Sequence, residues 1–374
     1  MIPFNKPYLT GKETQYIIEA VKSGKISGNG MFTKKCQAYF ETHFGFKKVL
    51  LTTSCTDALE MCAILANIKP GDEVIVPSYT FVSTALAFVR QGAEIVFADS
   101  NSDNPNIDPD VIEQLVTKKT KAIVVVHYAG ISCDMDKIMK LAKQHNLIVI
   151  EDAAQAIDSY YNGKPLGSIG HLAAFSFHET KNIISGEGGM LTINDDQFLE
   201  RAEIVWEKGT NRSAFFRGEI DKYNWVDIGS SFLPSEVTAA FLYAQLENLK
   251  QIQSKRKKIW DAYYLAFEVL IIKGIRLPLI PSYSTNNAHM FYLVCNSFEE
   301  RTTLISFLKK NNIQAVFHYL SLHDSPFYQK LYSGNQLVNS KLYTERLLRL
   351  PLFFELEDES QKHIINKIIE FYEA

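Results

Sequence analysis

Short apolar segments alternate with segments of helical periodicity over residues 48–206. Continuous apolar runs separated by helices are typical of a parallel sheet that is covered on both faces. The pattern therefore predicts an α/β fold with a mostly parallel central sheet flanked by helices. The predicted strands are Val49–Thr52, Glu73–Val76, Glu94–Ala98, Ala122–Val126, Leu147–Ile150, Leu172–Phe177 and Met190–Ile193. The predicted helices are Glu13–Val21, Phe32–Phe44, Thr56–Ala66, Ser83–Arg90, Pro109–Thr117, Met135–His145 and Asp195–Trp206.

The last third of the chain shows a different order of elements, which predicts a smaller C-terminal α+β domain. We expect the boundary to lie inside a long helix, so that residues 1–250 form the large domain and residues 251–374 the small one. The elements predicted here are a helix from Ser235 to about Phe267, strand His289–Val294, helix Glu299–Asn311, strand Gln314–Phe317 and helix Glu359–Tyr372.

Composition and charge exclude several classes of function. The net charge of −3 comes with both signs scattered along the chain, and no basic stripe predicts binding to nucleic acid. The five cysteines have no metal-ligand spacing, so we expect no metal site and reduced thiols in a cytoplasmic protein. The first residues do not have the pattern of a signal peptide, and no apolar run approaches 18 residues, so we expect no membrane span.

One lysine, Lys181, lies between a predicted strand and the glycine cluster Gly186-Glu-Gly-Gly189. A lysine at the end of a buried strand can project its amine into a cavity, where partial burial makes it a better nucleophile toward carbonyl groups. Taken alone, a solvated lysine in a hairpin loop is the more common case. The neighbouring strand ends change this interpretation.

Strand Leu147–Ile150 runs into Glu151-Asp-Ala-Ala-Gln155, at the edge of the sheet where ligands bind in such folds. Asp152 could there pair with a cationic ring nitrogen. The alternative is that Asp152 caps the N-terminus of a following helix.

Two further strand ends carry groups of the same site. Residues 53–57, Thr-Ser-Cys-Thr-Asp, begin a helix whose free N–H groups and hydroxyls could bind a phosphate, or could simply cap the helix. An aromatic ring, Phe81 or Tyr79, follows the next strand, although packing in the core is the commoner role of such rings. A lysine, an aspartate, an aromatic ring and a phosphate-binding helix start are what a pyridoxal 5'-phosphate (PLP) site requires, and Ser176 can add a hydroxyl.

These residues carry a resemblance to a known family. The motifs Glu151-Asp-Ala-Ala-Gln155, Ser176-Phe-His-Glu-Thr-Lys181-Asn and Gly186-Glu-Gly-Gly189 are similar, in order and spacing, to those of the DegT/DnrJ sugar-nucleotide aminotransferases, which have the fold-type I PLP-dependent aminotransferase fold. Longer strings extend the match over nearly the whole chain: Lys208-Gly-Thr-Asn-Arg-Ser213, Phe215-Phe-Arg-Gly218, Asn287-Ala-His-Met-Phe-Tyr292 and Ala315-Val-Phe-His-Tyr319.

The resemblance implies a role for each site residue. Lys181 would be the catalytic lysine that forms a Schiff base with PLP, and Asp152 the partner of the pyridine nitrogen. The other implied cofactor contacts are Gln155 at the ring hydroxyl, Phe81 stacked on the ring, and Cys55, Thr56 and Ser176 at the phosphate. As substrate contacts we expect His318 and Tyr319, with Arg212 and Arg217 near a diphosphate, although exposed loop arginines are at least as common.

The resemblance also implies the reaction. L-Glutamate would donate the amino group to a dTDP-4-keto-6-deoxyhexose, giving a dTDP-4-amino-4,6-dideoxyhexose for surface polysaccharide (lipopolysaccharide or O-antigen) biosynthesis, in a homodimer with the site at its interface. A 3-keto sugar, the other configuration at C4, or a non-catalytic binding role on this scaffold remain alternatives. Many relatives have an asparagine that contacts the cofactor phosphate in the neighbouring subunit, and this chain has Leu233 at that position. Glu179 stands where relatives often have a proline or a small residue. We expect His127, His178, His289 and His323 to be structural.

Overall fold

The computed structural model describes residues 1–373, so Ala374, the last residue of the predicted small domain, lies outside the described residues. A seven-stranded sheet with the order β1-β9-β8-β5-β4-β2-β3 forms the centre of the fold. Its strands are β1 (Lys48–Thr52), β2 (Glu73–Pro77), β3 (Glu94–Ala98), β4 (Thr120–Val126), β5 (Ile148–Asp152), β8 (Leu172–Ser176) and β9 (Gly189–Ile193). A two-stranded hairpin comprises β6 (Tyr160–Tyr161) and β7 (Lys164–Pro165).

The predicted mostly parallel sheet is confirmed. Strands β2, β3, β4, β5 and β8 pair in parallel, and β9 alone runs against both of its neighbours, β1 and β8. Because β9 reverses direction between them, β1 and β8 point the same way. The carboxyl ends of β1, β5 and β8 therefore meet at one edge of the sheet.

Helices cover both faces of this sheet, and a buried apolar cluster lies under each face. The helices in the N-terminal two thirds of the chain are α1 (Glu13–Lys22), α2 (Met31–Phe44), α3 (Cys55–Leu65), α4 (Ser83–Val89), α5 (Pro109–Leu115), α6 (Met135–His145), α7 (Leu199–Trp206), α8 (Arg212–Phe216), α9 (Glu236–Leu246) and α10 (Leu249–Phe267). Short 3-10 turns occupy Tyr128–Gly130, Asp196–Phe198, Glu268–Lys273 and Leu322–Asp324.

Residues after α10 form a second sheet of three antiparallel strands in the order β10-β12-β11, with its own apolar core. This agrees with the predicted α+β character, while the boundary at residue 250 stays a prediction. The elements are β10 (Phe291–Val294), α11 (Phe298–Lys310), β11 (Val316–Phe317), α12 (Val338–Arg346), β12 (Leu347–Leu350) and α13 (Asp358–Glu373). Within residues 1–373, no helix combines the length and the apolar character that crossing a membrane requires.

Two predictions of local structure were wrong in part, and two elements after α10 were missed. The helix predicted from Ser235 to Phe267 is two helices, because Asn248 separates them and its side-chain amide donates to the carbonyl of Ala244. The helix predicted from Asp195 begins as a 3-10 turn. Neither α12 nor β12 was predicted, although β12 is the central strand of the second sheet.

Candidate active site

A cavity of about 820 Å³ lies between the carboxyl edge of the large sheet and the C-terminal sheet. We call its two sides the strand-end wall (Cys55, Thr56, Asp152, Gln155 and Ser176) and the C-terminal wall (Phe317, His318, Tyr319 and Arg349). Lys181 and Phe81 also line the cavity. The structure thus brings together every residue that the sequence assigned to the cofactor, together with the predicted substrate contacts His318 and Tyr319.

Asp152 is the last residue of β5, and its carboxylate is buried at the cavity. Its two oxygens accept hydrogen bonds from the Thr84 hydroxyl (2.7 Å) and from the Ala154 N–H (3.2 Å). Burial raises the pKa of Asp152 in spite of these hydrogen bonds, so a cation beside this carboxylate would be stabilising. The residues directly after Asp152 form turns and not a helix, so the alternative that Asp152 caps a helix is wrong.

Lys181 follows β8 in the loop that leads to Gly186, and it is half-buried. Burial is the largest cause that lowers the pKa of its amine, and the positive charge of Arg349 acts in the same direction. Cys55 and Asp152 raise the pKa in part. A larger fraction of this amine is therefore unprotonated near neutral pH than for an exposed lysine, which favours attack on a carbonyl group.

The start of α3 faces the cavity with hydroxyl groups and a thiol. Ser54 caps this helix, since its hydroxyl accepts from the N–H of Asp57. Thr56 lies 2.8 Å from the Ser83 hydroxyl, oxygen to oxygen. The capping interpretation of this segment is confirmed by Ser54, and Cys55 and Thr56 line the cavity, whereas phosphate binding stays a prediction.

Gly189 keeps β9 close to the start of α3. A Cβ atom at this position would lie 2.5 Å from the backbone nitrogen of Cys55, which is closer than real Cβ contacts allow. The first residue of β9, which follows the loop that carries Lys181, and the start of α3 therefore approach each other through their main chains.

The remaining cofactor candidates also have defined positions. Gln155 accepts from the N–H of Ala129 (2.6 Å), and its amide donates to the Tyr319 hydroxyl (3.2 Å). Phe81 is 55% exposed and lines the cavity, whereas Tyr79 is 1% exposed inside an aromatic cluster. Of the two rings left open by the sequence, Phe81 alone can stack on a ligand.

The residues present fit PLP. A buried carboxylate with a raised pKa suits a protonated pyridine nitrogen, and the hydroxyls and N–H groups at the start of α3 suit a phosphate. The half-buried Lys181 amine in the same cavity suits an aldehyde.

The other predicted contacts lie elsewhere in this chain. Arg212 pairs with Glu207 (3.0 Å), and Arg217 pairs with Glu203 and Glu219 (2.7 Å each); neither arginine lines the cavity. Leu233 packs beside Gly28, away from the cavity. Of these side chains, only the two arginines remain candidates for a substrate contact, and that role stays a prediction.

Sequence reasoning missed two residues of the site. Thr84 holds Asp152, and Arg349 lines the cavity from β12. His289 is bonded to Asn182 (2.8 Å), in line with its expected structural role, and it also lines the cavity. His178 also lines the cavity, beyond the structural role expected for it. His127 and His323 are structural, since they bond to Glu151 and Ser78. The single arginine in the apolar run Leu347–Leu352 was the signal that could have identified Arg349.

Comparisons with known proteins agree with this geometry. A model of the DegT/DnrJ/EryC1/StrS aminotransferase family matches residues 7–369. The uncharacterised protein MJ1066 of Methanocaldococcus jannaschii and the spore coat polysaccharide biosynthesis protein SpsC of Bacillus subtilis are each 34% identical, over 98% of this chain and 96% of theirs.

Solved structures give the same result. Spr1654 of Streptococcus pneumoniae, assigned as a sugar aminotransferase, was solved in a pyridoxamine 5'-phosphate (PMP) form. Its TM-score is 0.91 at 28% identity, and the match covers 100% of this chain and 99% of that one. Its PLP form has a TM-score of 0.89 at the same identity, over 100% and 98%.

Proposed function

This chain belongs to the DegT/DnrJ/EryC1/StrS aminotransferase family, and we propose that it transfers an amino group from L-glutamate to the keto carbon of a dTDP-4-keto-6-deoxyhexose. The family and its structural neighbours show a PLP-dependent sugar aminotransferase. The proposal adds the donor, the nucleotide, the keto position and a product of galactose configuration, dTDP-4-amino-4,6-dideoxygalactose. It rests on the resemblance of long strings, such as Asn287-Ala-His-Met-Phe-Tyr292, to those of the transaminases that make this sugar.

One observation carries the reaction type: the Lys181 amine shares a cavity with the buried Asp152 carboxylate. When bound, PLP supplies an aldehyde and a ring that accepts electrons. Asp152 would hold the ring nitrogen protonated, and the bond from Thr84 keeps the carboxylate in place. Cys55, Thr56 and Ser176 would hold the phosphate, Gln155 the ring hydroxyl and Phe81 the face of the ring.

Lys181 would carry the proton in both halves of the reaction. In the first half its amine accepts the α-proton of glutamate. Because burial lowers the pKa of this amine, the lysine can also give the proton back. In the second half it returns a proton to the former keto carbon of the sugar. The face from which this proton arrives decides whether the new amino group is axial or equatorial, so the configuration depends on how the C-terminal wall orients the sugar.

We further propose a cytoplasmic homodimer that acts in surface polysaccharide biosynthesis. The name of SpsC, a spore coat polysaccharide biosynthesis protein, supports that process. Because Arg212 and Arg217 do not line the cavity of their own chain, a contact with the diphosphate would require that their loop, residues 208–232, reach the cavity of a second subunit. The exposed rings of Phe216 (69%) and Trp225 (81%) in the same loop are compatible with such an interface.

The experiment is direct. Purified protein with PLP should be yellow, and incubation with L-glutamate and a dTDP-4-keto-6-deoxyhexose should give a 4-amino sugar whose configuration is read by NMR. Lys181→Ala should lose the long-wavelength absorbance and at least about 10³-fold of the turnover. Lys164→Ala, which changes an exposed lysine of the β6–β7 hairpin, is the matched control. A colourless wild-type protein would refute the reaction type, and a 3-amino product would refute the keto position.

A further inference from the structure

Within residues 1–373, the guanidinium of Arg349 forms no ion pair with a carboxylate. The residue lies on β12, opposite Tyr292 of β10 and Val316 of β11, so the strand pairing fixes its backbone. Its Nε atom is buried and lacks a hydrogen-bond partner in the described part of the chain. Burial lowers the pKa of this guanidinium, and the titratable groups that act against burial are the phenols of Tyr79, Tyr128 and Tyr319.

The guanidinium is nevertheless held in place by an aromatic ring, and it lies in the same cavity as Lys181. The ring of Phe4 lies 4.6 Å from its central carbon, which is a cation–π contact. Arg349 lines the same cavity as Lys181, and its charge contributes to lowering the pKa of that lysine. A half-buried, unpaired guanidinium is destabilising by itself, and an anion that enters the cavity would remove that cost.

We propose that Arg349 binds a carboxylate of the amino donor. This inference rests on the proposed function, because it assigns the binding residue for the donor of that reaction. The planar guanidinium offers parallel N–H groups that match a carboxylate in a bidentate arrangement. No other arginine lines the cavity in the part of the chain that the structure describes.

Apart from the cofactor phosphate, which the start of α3 would hold, the other anion that enters this cavity is the diphosphate of the sugar nucleotide, and geometry disfavours it. In a 4-keto sugar the diphosphate is separated from the reacting carbon by the width of the ring. In an amino acid the α-carboxylate is attached to the reacting carbon itself. A cation whose field reaches Lys181 is therefore better placed for the carboxylate.

The test separates the two half-reactions. In Arg349→Gln, single-turnover conversion of the PLP form to the PMP form by L-glutamate should lose roughly 10- to 100-fold in kcat/KM, the usual effect of removing a hydrogen bond to a charged group. The reaction of the PMP form with the sugar nucleotide should change less than about twofold, within the range of neutral substitutions. Arg349→Lys, which keeps the charge without the planar fork, should recover part of the loss. Because the first half-reaction needs no sugar, its outcome is independent of the proposed sugar substrate.

A control and a second readout keep the result interpretable. Arg346→Gln removes another arginine whose Nε lacks a partner but which does not line the cavity, and it should leave both half-reactions unchanged. Calorimetric titration of the PLP-loaded protein with glutarate should show weaker binding in Arg349→Gln than in the wild type. An unchanged glutamate half-reaction, or a loss confined to the sugar half-reaction, would overturn the proposal.

Discussion

The two walls of the cavity differ in how their polar groups are satisfied. On the strand-end wall, Asp152 accepts two hydrogen bonds, Gln155 makes two, and Thr56 contacts another hydroxyl. On the C-terminal wall, His318 and Tyr319 are also hydrogen-bonded, but the buried Nε of Arg349 has no partner within residues 1–373, and Phe317 is 49% exposed. Groups bonded within the protein keep their geometry without a ligand, whereas unpaired groups are free to bind one. The first wall suits a resident cofactor, and the second suits substrates that enter and leave.

The strongest test of this contrast is Asp152→Asn. We expect turnover to fall on the order of 10³-fold, because an amide carries no negative charge to hold the cofactor ring nitrogen protonated. The amide oxygen can still accept from Thr84, so the fold should be preserved, as circular dichroism can check. Turnover close to that of the wild type would show that the strand-end wall does not act on the cofactor as we infer.

A second test concerns the support of the strand-end wall. Glu151 is buried beside Asp152, and it bonds to His127 (2.9 Å) and to the N–H groups of Gly167, Ile169 and Gly170. Glu151→Gln should therefore lower the free energy of unfolding by about 3 kcal/mol, measured by urea denaturation. Lys137→Ala, which breaks the exposed pair with Asp110, should cost less than about 1 kcal/mol. Equal losses in the two variants would contradict this difference.

The same carboxylate predicts a pH dependence. Burial by itself would raise the pKa of Glu151, but the bonds from His127 and the backbone N–H groups outweigh it and lower the pKa below the usual 4.5. A carboxyl with a lowered folded pKa stabilises the protein above its unfolded pKa, and this stabilisation is lost as the pH falls through the folded value. Wild-type stability should therefore decrease below about pH 4.5 more steeply than that of Glu151→Gln.

The smallest expected effect is on the C-terminal wall. Tyr319→Phe removes the hydroxyl that Gln155 donates to, and we expect a rise of about fivefold in KM for the sugar nucleotide with unchanged cofactor occupancy. Tyr332→Phe, which removes an exposed hydroxyl bonded to the Asn335 carbonyl, serves as the control. Loss of cofactor from the Tyr319 variant would mean that the two walls do not divide cofactor and substrate between them.

The sequence was sufficient for the strand-end wall because its residues lie directly at the ends of strands that local patterns identify. Asp152 and Lys181 each follow an apolar run, and their meeting follows from the parallel pairing of β5 and β8. Thr84 could not be assigned in this way, since it lies on a helix 68 residues from Asp152. Arg349 was missed for a similar reason: β12 was not predicted, and only its pairing with β10 and β11 places the arginine at the cavity.

The close contact at Gly189 limits which substitutions this enzyme can accept at that position. A methyl group there would collide with the peptide that begins α3, so the spacing between the proposed phosphate site and the start of β9, which follows the lysine loop, is set by backbone atoms. Substitutions accumulated during evolution cannot easily alter a distance of that kind. If the C-terminal wall orients the sugar as we propose, exchanges at Tyr319 and Phe317 would change the sugar specificity while this backbone spacing stays the same.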